Sequence, residues 1–218
     1  MGTFKPGPMG VVNGLIDTVV TSKWKNVYVI KGRPTKSKKA ATLKQEDQHM
    51  RFALVTSLLK RINPIIATGY QNAGKNLTPM NAAARYHLAN AVKGTYPDYE
   101  MDFTKLKLSN GDEGTLDEAR KAKVEVSAGA VITVSWLMQL HPTTISSVND
   151  VAMILFYNEE KGRFTSLLNA AKRSELNREE VLPDEYAGDT IHSWIVMVSE
   201  DGKRIAESQY LGTVKLLA

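Results

Sequence analysis

Apolar residues alternate with polar or small residues in successive segments from Met101 onward, and this pattern constrains the fold more than any other feature. A period of two is typical of β-strands with one buried face, because successive side chains point to opposite sides of a sheet. The last two segments flank Asp201-Gly202, a typical hairpin turn. About seven strands at this spacing predict an antiparallel, immunoglobulin-like β-sandwich over residues 101–218. The alternating residues are Met101 and Phe103, Leu106 and Leu108, Val124 and Val126, Ile132, Val134 and Trp136, Val151, Met153, Leu155 and Tyr157, and the segments 191–199 and 205–216.

Two helices are predicted between residues 42 and 100. The first has apolar residues at a period of 3.6, with Thr42 as its cap and Pro64 expected to end it. The second begins with Thr78 as its cap and Pro79 in the first turn, where the missing amide of proline is tolerated, and ends at Lys93-Gly94.

Residues 1–41 are predicted to be an extended arm. Spaced glycines and prolines disfavour a helix there, while Val27 and Val29 alternate as in a strand. The predicted fold class is therefore α+β, with an arm (1–41), a two-helix region (42–100) and a β-sandwich (101–218). An arm with too many glycines for a core of its own gains order by pairing with another sheet edge, so we expect it to mediate assembly. The candidate assembly residues are Val19, Val20, Trp24 and Tyr28.

Charge is distributed unevenly along the chain. Residues 1–80 contain 13 Lys and Arg against 3 Asp and Glu, a net charge of +10, whereas residues 81–218 contain 15 against 20, a net charge of −5. Trp24 and Tyr28 lie within the densest basic tract, 23–39, and aromatic rings among cations are typical of single-stranded nucleic-acid contacts. Such a run is also typical of a solvated segment. The candidate phosphate contacts are Lys23, Lys25, Lys31, Arg33, Lys36, Lys38 and Lys39.

No catalytic motif, cofactor or metal site is predicted. The chain has no cysteine, which excludes disulfides, thiolate metal sites and thiol nucleophiles. The segment Gly69–Asn76 fits a phosphate-binding loop except at its last position, where Asn76 replaces the Ser or Thr that ligates magnesium, so we expect no nucleotide binding. Acidic pairs such as Glu159-Glu160 lie beside turn residues and are interpreted as solvated loops. The four histidines are widely separated: His49, His87, His141 and His192. On the predicted helices, only His49 has a second His, Asp or Glu, Glu46, at the three- or four-residue spacing typical of a metal-binding helix face, and such a pair is usually on the surface. His87 is interpreted as a structural residue on the second helix.

The N-terminal 20 residues lack a continuous apolar segment, because Asn13 and Asp17 interrupt it. We therefore expect no signal peptide and a cytoplasmic origin. No segment approaches the roughly 18–20 apolar residues of a membrane-spanning helix, so no membrane span is expected.

A pattern of spaced glycines, a Val-Val pair, a Trp-Lys motif and further single positions extends over most of the chain: Gly7, Gly10, Gly14, Val19, Val20, Trp24, Lys25, Arg33, Pro34, Gln48, Arg51, Phe52, Trp136, Asp150, Tyr157, Asn158, Pro183, Gly188, Tyr210 and Gly212. This pattern resembles an uncharacterised family of Bacteroidetes-type bacterial proteins with a glycine-rich N-terminal arm and an all-β C-terminal half. The resemblance implies no assigned activity. The sequence departs from the family pattern at Asp17, where a glycine is expected.

Three functions remain open from the sequence. The first is a non-enzymatic structural protein that self-associates through its arm as a particle, filament or virion-associated component. The second is a nucleic-acid-binding protein that uses the basic tract. An enzyme is the least favoured of the three. In each case we expect Trp136 and Trp194, which lie among aliphatic residues in predicted strands, to be buried in the core.

Overall fold

The structure is a computed structural model in which the chain divides into two compact units, Met1–Thr42 and Leu43–Ala218. It describes residues 2–6, 10, 12–24, 27–35, 39–74, 77–111, 116–138, 140 and 145–217.

The first unit is a four-stranded antiparallel sheet, so the prediction of an extended arm is wrong in its architecture. The strands run in the order β1-β4-β3-β2. Two glycines that favoured an arm have positive φ angles, Gly10 at 80° and Gly14 at 128°, and therefore permit changes of chain direction. The β2–β3 hairpin turns at Asp17, whose φ of 49° is a left-handed conformation that glycine adopts more readily than other residues. The strands are β1 (Gly2–Phe4), β2 (Gly14–Ile16), β3 (Val19–Trp24) and β4 (Val27–Gly32).

The second unit begins with three helices rather than the two predicted. Pro64 does not end the first helix, which stops at Arg61; it lies in the first turn of a separate short helix, where proline is tolerated. The predicted cap at Thr78 is confirmed, since its side chain accepts a hydrogen bond from the Asn81 amide. The helices are α1 (Leu43–Arg61), α2 (Asn63–Gly69) and α3 (Pro79–Asn90).

A short hairpin of β5 (Val92–Thr95) and β6 (Asp98–Met101) follows the helices. The strand predicted through Phe103 is wrong, because Phe103–Lys105 form a 3₁₀ turn. The Asp102 carboxylate caps this turn by accepting hydrogen bonds from the backbone amide and hydroxyl of Thr104, a local competition that alternation does not reveal.

Seven further strands form two antiparallel sheets, in the orders β11-β8-β7 and β10-β9-β12-β13. Along the chain, β8, β10 and β11 are each followed by a strand of the other sheet. This arrangement is an immunoglobulin-like β fold. The strands are β7 (Arg120–Ser127), β8 (Val131–Leu137), β9 (Val151–Asn158), β10 (Arg163–Lys172), β11 (Asn177–Val181), β12 (Thr190–Val198) and β13 (Gln209–Lys215).

The four-stranded sheet β10-β9-β12-β13 is covered on both faces. From β9 and β12, Leu155 and Trp194 pack with the helices in one hydrophobic cluster. Their neighbours Ile154 and Ile195 pack with Trp136 and the three-stranded sheet in a second cluster. Trp136 and Trp194 are 2% and 0% exposed, which confirms that both are core residues.

A buried ion pair joins strands β9 and β10 at one end of this sheet. Arg173 follows β10, Asp150 precedes β9, and both side chains are 1% exposed. The Arg173 Nε lies 3.1 Å from Asp150 Oδ2, and its Nη1 and Nη2 donate to the carbonyl oxygens of Glu118 and Asp117. The Arg173 carbonyl in turn accepts a hydrogen bond from the Trp136 indole. The guanidinium is thus satisfied from three directions, which is required of a buried charge.

Candidate assembly surface

The N-terminal sheet presents an apolar surface on each side. Residues that pair directly across neighbouring strands point to the same side of a sheet. One side, here called the tyrosine face, consists of Phe4, Ile16, Val19, Thr21, Lys23, Tyr28 and Ile30. The other side, here called the valine face, consists of Thr3, Leu15, Val20, Ser22, Val27, Val29 and Lys31.

Among the described residues, both faces carry exposed apolar side chains. On the valine face Leu15 and Val27 are 55% and 45% exposed, and on the tyrosine face Ile16 and Ile30 are 48% and 39% exposed. Among the residues of this unit that the structure describes, only Thr21 is buried, and its hydroxyl donates to the Val12 carbonyl oxygen. A sheet of this size normally buries at least one face to be stable in water.

The candidate assembly residues all lie on the two central strands of the sheet. Val19 and Val20 are half-buried neighbours on β3 and belong to opposite faces. The ring of Tyr28, on β4, lies 5.9 Å from that of Phe4, and the Lys23 ammonium lies 5.3 Å from the Tyr28 ring centre. Trp24 is the last residue of β3, and its side chain lies outside the described part of the chain.

Two of the described candidate phosphate contacts lie on opposite faces of the N-terminal sheet. Lys23 is on the tyrosine face and Lys31 on the valine face, so the described strands point these two cations in opposite directions. Arg33 follows β4, and its amide donates to the Thr18 carbonyl oxygen at 2.7 Å. Lys39 follows β4 and precedes α1 along the chain. Three further members of the set lie outside the described residues: Lys25, Lys36 and Lys38.

Packing explains one glycine of the segment that resembles a phosphate-binding loop. Gly69 is the last residue of α2, and a Cβ atom there would lie 1.9 Å from the Leu108 carbonyl oxygen. Gly69 therefore permits a close approach of two backbone segments. The positions that would contact a phosphate, Lys75 and Asn76, lie outside the described residues.

His87 is a fully buried structural residue, as interpreted from the sequence. Its Nδ1 lies 2.7 Å from the Ala83 carbonyl oxygen and its Nε2 lies 3.2 Å from the Lys107 amide nitrogen. Because a carbonyl only accepts and an amide only donates, the imidazole is neutral with its proton on Nδ1. Burial lowers the pKa of His87 below its ordinary value. His141 lies outside the described residues.

Metal-binding geometry is absent from the described part of the chain, where no three His, Asp or Glu side chains come together. The acidic residues interpreted as solvated loops include Glu159, whose carboxylate the structure places beside His192 in a cleft. Sequence reasoning missed this pair because the two residues are brought together by the pairing of β9 with β12.

Comparison with known proteins adds a family. Among solved structures, the fn3 domain of the human collagen alpha-1(XX) chain is 11% identical, with a TM-score of 0.37, and the match covers 50% of this chain and 93% of that one. The fn3 domain of human contactin 1 is 10% identical, with a TM-score of 0.30, and the match covers 50% and 83%. No curated protein matches the chain.

None of the described helices is long and apolar enough to cross a bilayer. Residues 11–212 match a family of unknown function, DUF6266, and the chain therefore belongs to that family.

Proposed function

We propose that this chain is a non-enzymatic structural protein that associates with copies of itself through its N-terminal sheet, as a component of a particle or filament. The observation that carries the proposal is the exposure of apolar side chains on both the valine face and the tyrosine face.

Size and burial both favour a partner for this sheet. A unit of about 40 residues rarely stabilises itself without disulfides, metals or oligomerisation, and this chain contains no cysteine. Each apolar side chain removed from water contributes on the order of 25 cal/mol per Å² of buried area. A contiguous exposed apolar surface on a folded protein is typical of an interaction site. Covering one face with the same face of a second copy satisfies both chains at once.

The larger unit supplies the rigid body that the sheet connects to others. We infer that β7–β13 close into an immunoglobulin-like sandwich, supported by the single apolar cluster that Trp136 shares with Ile154 and Ile195. With both faces of its central sheet covered, this unit has no need of a partner for its own folding.

Paired substitutions test the proposal and identify the associating face. Leu15→Ser with Val27→Ser changes the valine face, and Ile16→Ser with Ile30→Ser changes the tyrosine face. Val181→Ser is the matched control, because Val181 is 67% exposed but lies on β11 of the larger unit. Light scattering across a concentration series should show an oligomer for the parent and the control and a lower mass for at least one pair. A parent that stays monomeric at all concentrations would contradict the proposal.

Nucleic-acid binding is a second candidate, favoured by the seven cations of the basic tract and by the Lys23 ammonium above the Tyr28 ring. Phosphate contacts release counterions, so this binding should weaken steeply as salt rises, whereas association through apolar faces should not. Anisotropy of a labelled single-stranded oligonucleotide at about 50 and 200 mM salt distinguishes the two. Lys23→Gln with Lys31→Gln should reduce the slope by about two if both residues contact phosphates.

A further inference from the structure

The larger unit contains a cleft between one face of α3 and the turn that follows α2. Its volume is about 450 Å³, a size typical of small-molecule sites in proteins. The residues that α3 contributes recur at three- and four-residue spacing, so they lie on one face of the helix. They are Ala82, Arg85, Tyr86, Ala89 and Asn90.

Backbone contacts and hydrogen bonds hold the opposite wall in place. Gly69, the last residue of α2, permits the close approach of Leu108, and its carbonyl oxygen accepts a hydrogen bond from the Asn110 amide at 3.3 Å. The Asn72 side chain donates to the Lys203 carbonyl oxygen at 3.0 Å. Three segments that are distant in the sequence are thus joined around the cleft. The cleft is therefore preformed in the folded chain.

Polarity changes from the inside of this cleft to its mouth. The buried lining residues are Gly69, Tyr70 and Ile205, which are apolar or aromatic. The Tyr70 hydroxyl is already used, because it donates to the Lys107 carbonyl oxygen, and burial raises the pKa of Tyr70 so that it stays uncharged. A ligand that matches this gradient has an apolar body and a polar head. Apart from the two tyrosines, the polar side chains of the described lining are all exposed: Asn72, Arg85, Asn90 and Asn110.

The charge at the mouth selects the head group. Among the described lining residues, Arg85 is the one cation and no carboxylate is present, and no described carboxylate pairs with Arg85. Two neighbouring cations are compensated, since Lys107 pairs with Glu207 and Lys203 with Asp201. A guanidinium can donate two parallel hydrogen bonds to one carboxylate. One uncompensated guanidinium therefore suits a head group with a single negative charge.

We infer that this cleft binds a carboxylate attached to an apolar body, with the body against Tyr70, Tyr86 and Ile205 and the carboxylate against the Arg85 guanidinium. Burial of the apolar body supplies most of the affinity. The ion pair adds a smaller contribution that salt screens, because Arg85 is exposed. The same chemistry occurs in free organic acids and at the C-terminus of a peptide with an apolar last residue.

Calorimetric titration of the full chain with 4-phenylbutyrate tests the inference, with 4-phenylbutanamide as the uncharged compound of the same shape. The acid should bind saturably at one site and about fivefold more tightly than the amide, as expected for an exposed ion pair. Arg85→Gln should weaken binding of the acid by about fivefold and leave the amide unchanged. Arg120→Gln is the matched control, because Arg120 is exposed on β7, outside the cleft, and it should bind as the parent does.

A second variant tests the position of the apolar body. Ala82 is half-buried on α3 and lines the cleft, so Ala82→Leu should fill part of the space and weaken acid and amide alike by at least about fivefold. Leucine is a good helix former, and urea unfolding checks that the variant keeps its fold. Ala53→Leu, at an exposed position on α1 outside the cleft, is the control and should bind both compounds as the parent does.

Acetyl-dialanyl-phenylalanine, as a second probe, distinguishes the sources of the carboxylate. Binding about tenfold tighter than that of 4-phenylbutyrate would identify a peptide C-terminus as the ligand, and equal or weaker binding would identify a free acid. Four results would overturn the inference: no saturable binding of the acid, equal affinity of the parent for acid and amide, equal losses in Arg85→Gln and Arg120→Gln, or unchanged binding in a folded Ala82→Leu variant.

Discussion

The chain contains two four-stranded antiparallel sheets, β1-β4-β3-β2 and β10-β9-β12-β13, that differ in what covers them. On β12, eight of nine residues are buried, because helices lie on one side and a second sheet on the other. On β4, none of the six residues is buried. Both strands are rich in β-branched residues, so strand propensity does not separate them.

The difference separates strand formation from burial: β4 and β12 are both strands, but only β12 is buried. The second sheet belongs to a unit that carries its own hydrophobic clusters, whereas among the described residues of the first unit only Thr21 is buried. We therefore expect substitutions in the second sheet to change folding and substitutions in the first to change association.

The largest effects are expected from the two core tryptophans. Trp194→Ala and Trp136→Ala each remove a ring that is at most 2% exposed, and each should lower the free energy of unfolding by about 3–5 kcal/mol. Phe52→Ala is the control, since Phe52 is 51% exposed on α1, and should have little effect. Urea unfolding measures all three. Tryptophan variants as stable as the parent would remove the basis for treating this unit as self-sufficient.

Breaking the buried ion pair of Arg173 and Asp150 should lower the free energy of unfolding almost as much as removing a core tryptophan. Arg173→Met leaves the Asp150 carboxylate buried without its cation, at an expected loss of about 3–5 kcal/mol. Arg163→Met breaks a pair with Glu185 whose side chains are 64% and 56% exposed, and should change stability by less than about 1 kcal/mol. Equal losses in the two variants would show that burial does not distinguish these pairs.

A smaller, pH-dependent effect is expected from His87. Because burial lowers its folded-state pKa, the unfolded chain binds a proton more readily, and protonation favours unfolding. The contribution of neutral His87 to the free energy of unfolding is therefore fully present above the unfolded pKa of about 6.5. It is lost as the pH drops below that value, by at most about 1.4 kcal/mol per pH unit. Unfolding at pH 7.5, 6 and 5 should show a shallower dependence in His87→Gln than in the parent. His49→Gln, an exposed control on α1, should keep the slope of the parent.

The smallest effects on stability are expected in the N-terminal sheet. Ile30→Ser on the tyrosine face and Val27→Ser on the valine face should change the unfolding of the larger unit by less than about 0.5 kcal/mol. The same variants are expected to alter association if their face is the one that is covered. Loss of the main unfolding transition in either variant would mean that the two units fold as one.

Strands β8, β9 and β12 could be predicted from the sequence because several alternating residues in a row define the period, whereas β10, the longest described strand at ten residues, is not among the predicted segments. The strands β1 and β2 have only three residues each, too few for a period to emerge, and their glycines favour an arm when only the sequence is considered. Proline both ends and begins helices, so the sequence does not show whether Pro64 ends α1 or begins a new helix. The structure shows that α1 already ends at Arg61.

The arrangement of the candidate site residues could not be predicted either, because it depends on how distant strands pair. Val19, Val20 and Tyr28 could be selected from local composition, but their division between two faces depends on strand register. Glu159 and His192 are separated by 33 residues and meet through strand pairing. Nothing in their local sequence indicates that contact.

The most direct test of the division between a self-sufficient unit and a sheet that needs a partner is the solution mass of the full chain and of residues 43–218. Both should be measured at equal concentration, at low and at high salt. We expect the full chain to form an oligomer that persists at high salt, and residues 43–218 to be a monomer that unfolds cooperatively. Equal masses would contradict association through the N-terminal sheet, and an unfolded 43–218 fragment would contradict the independence of the larger unit.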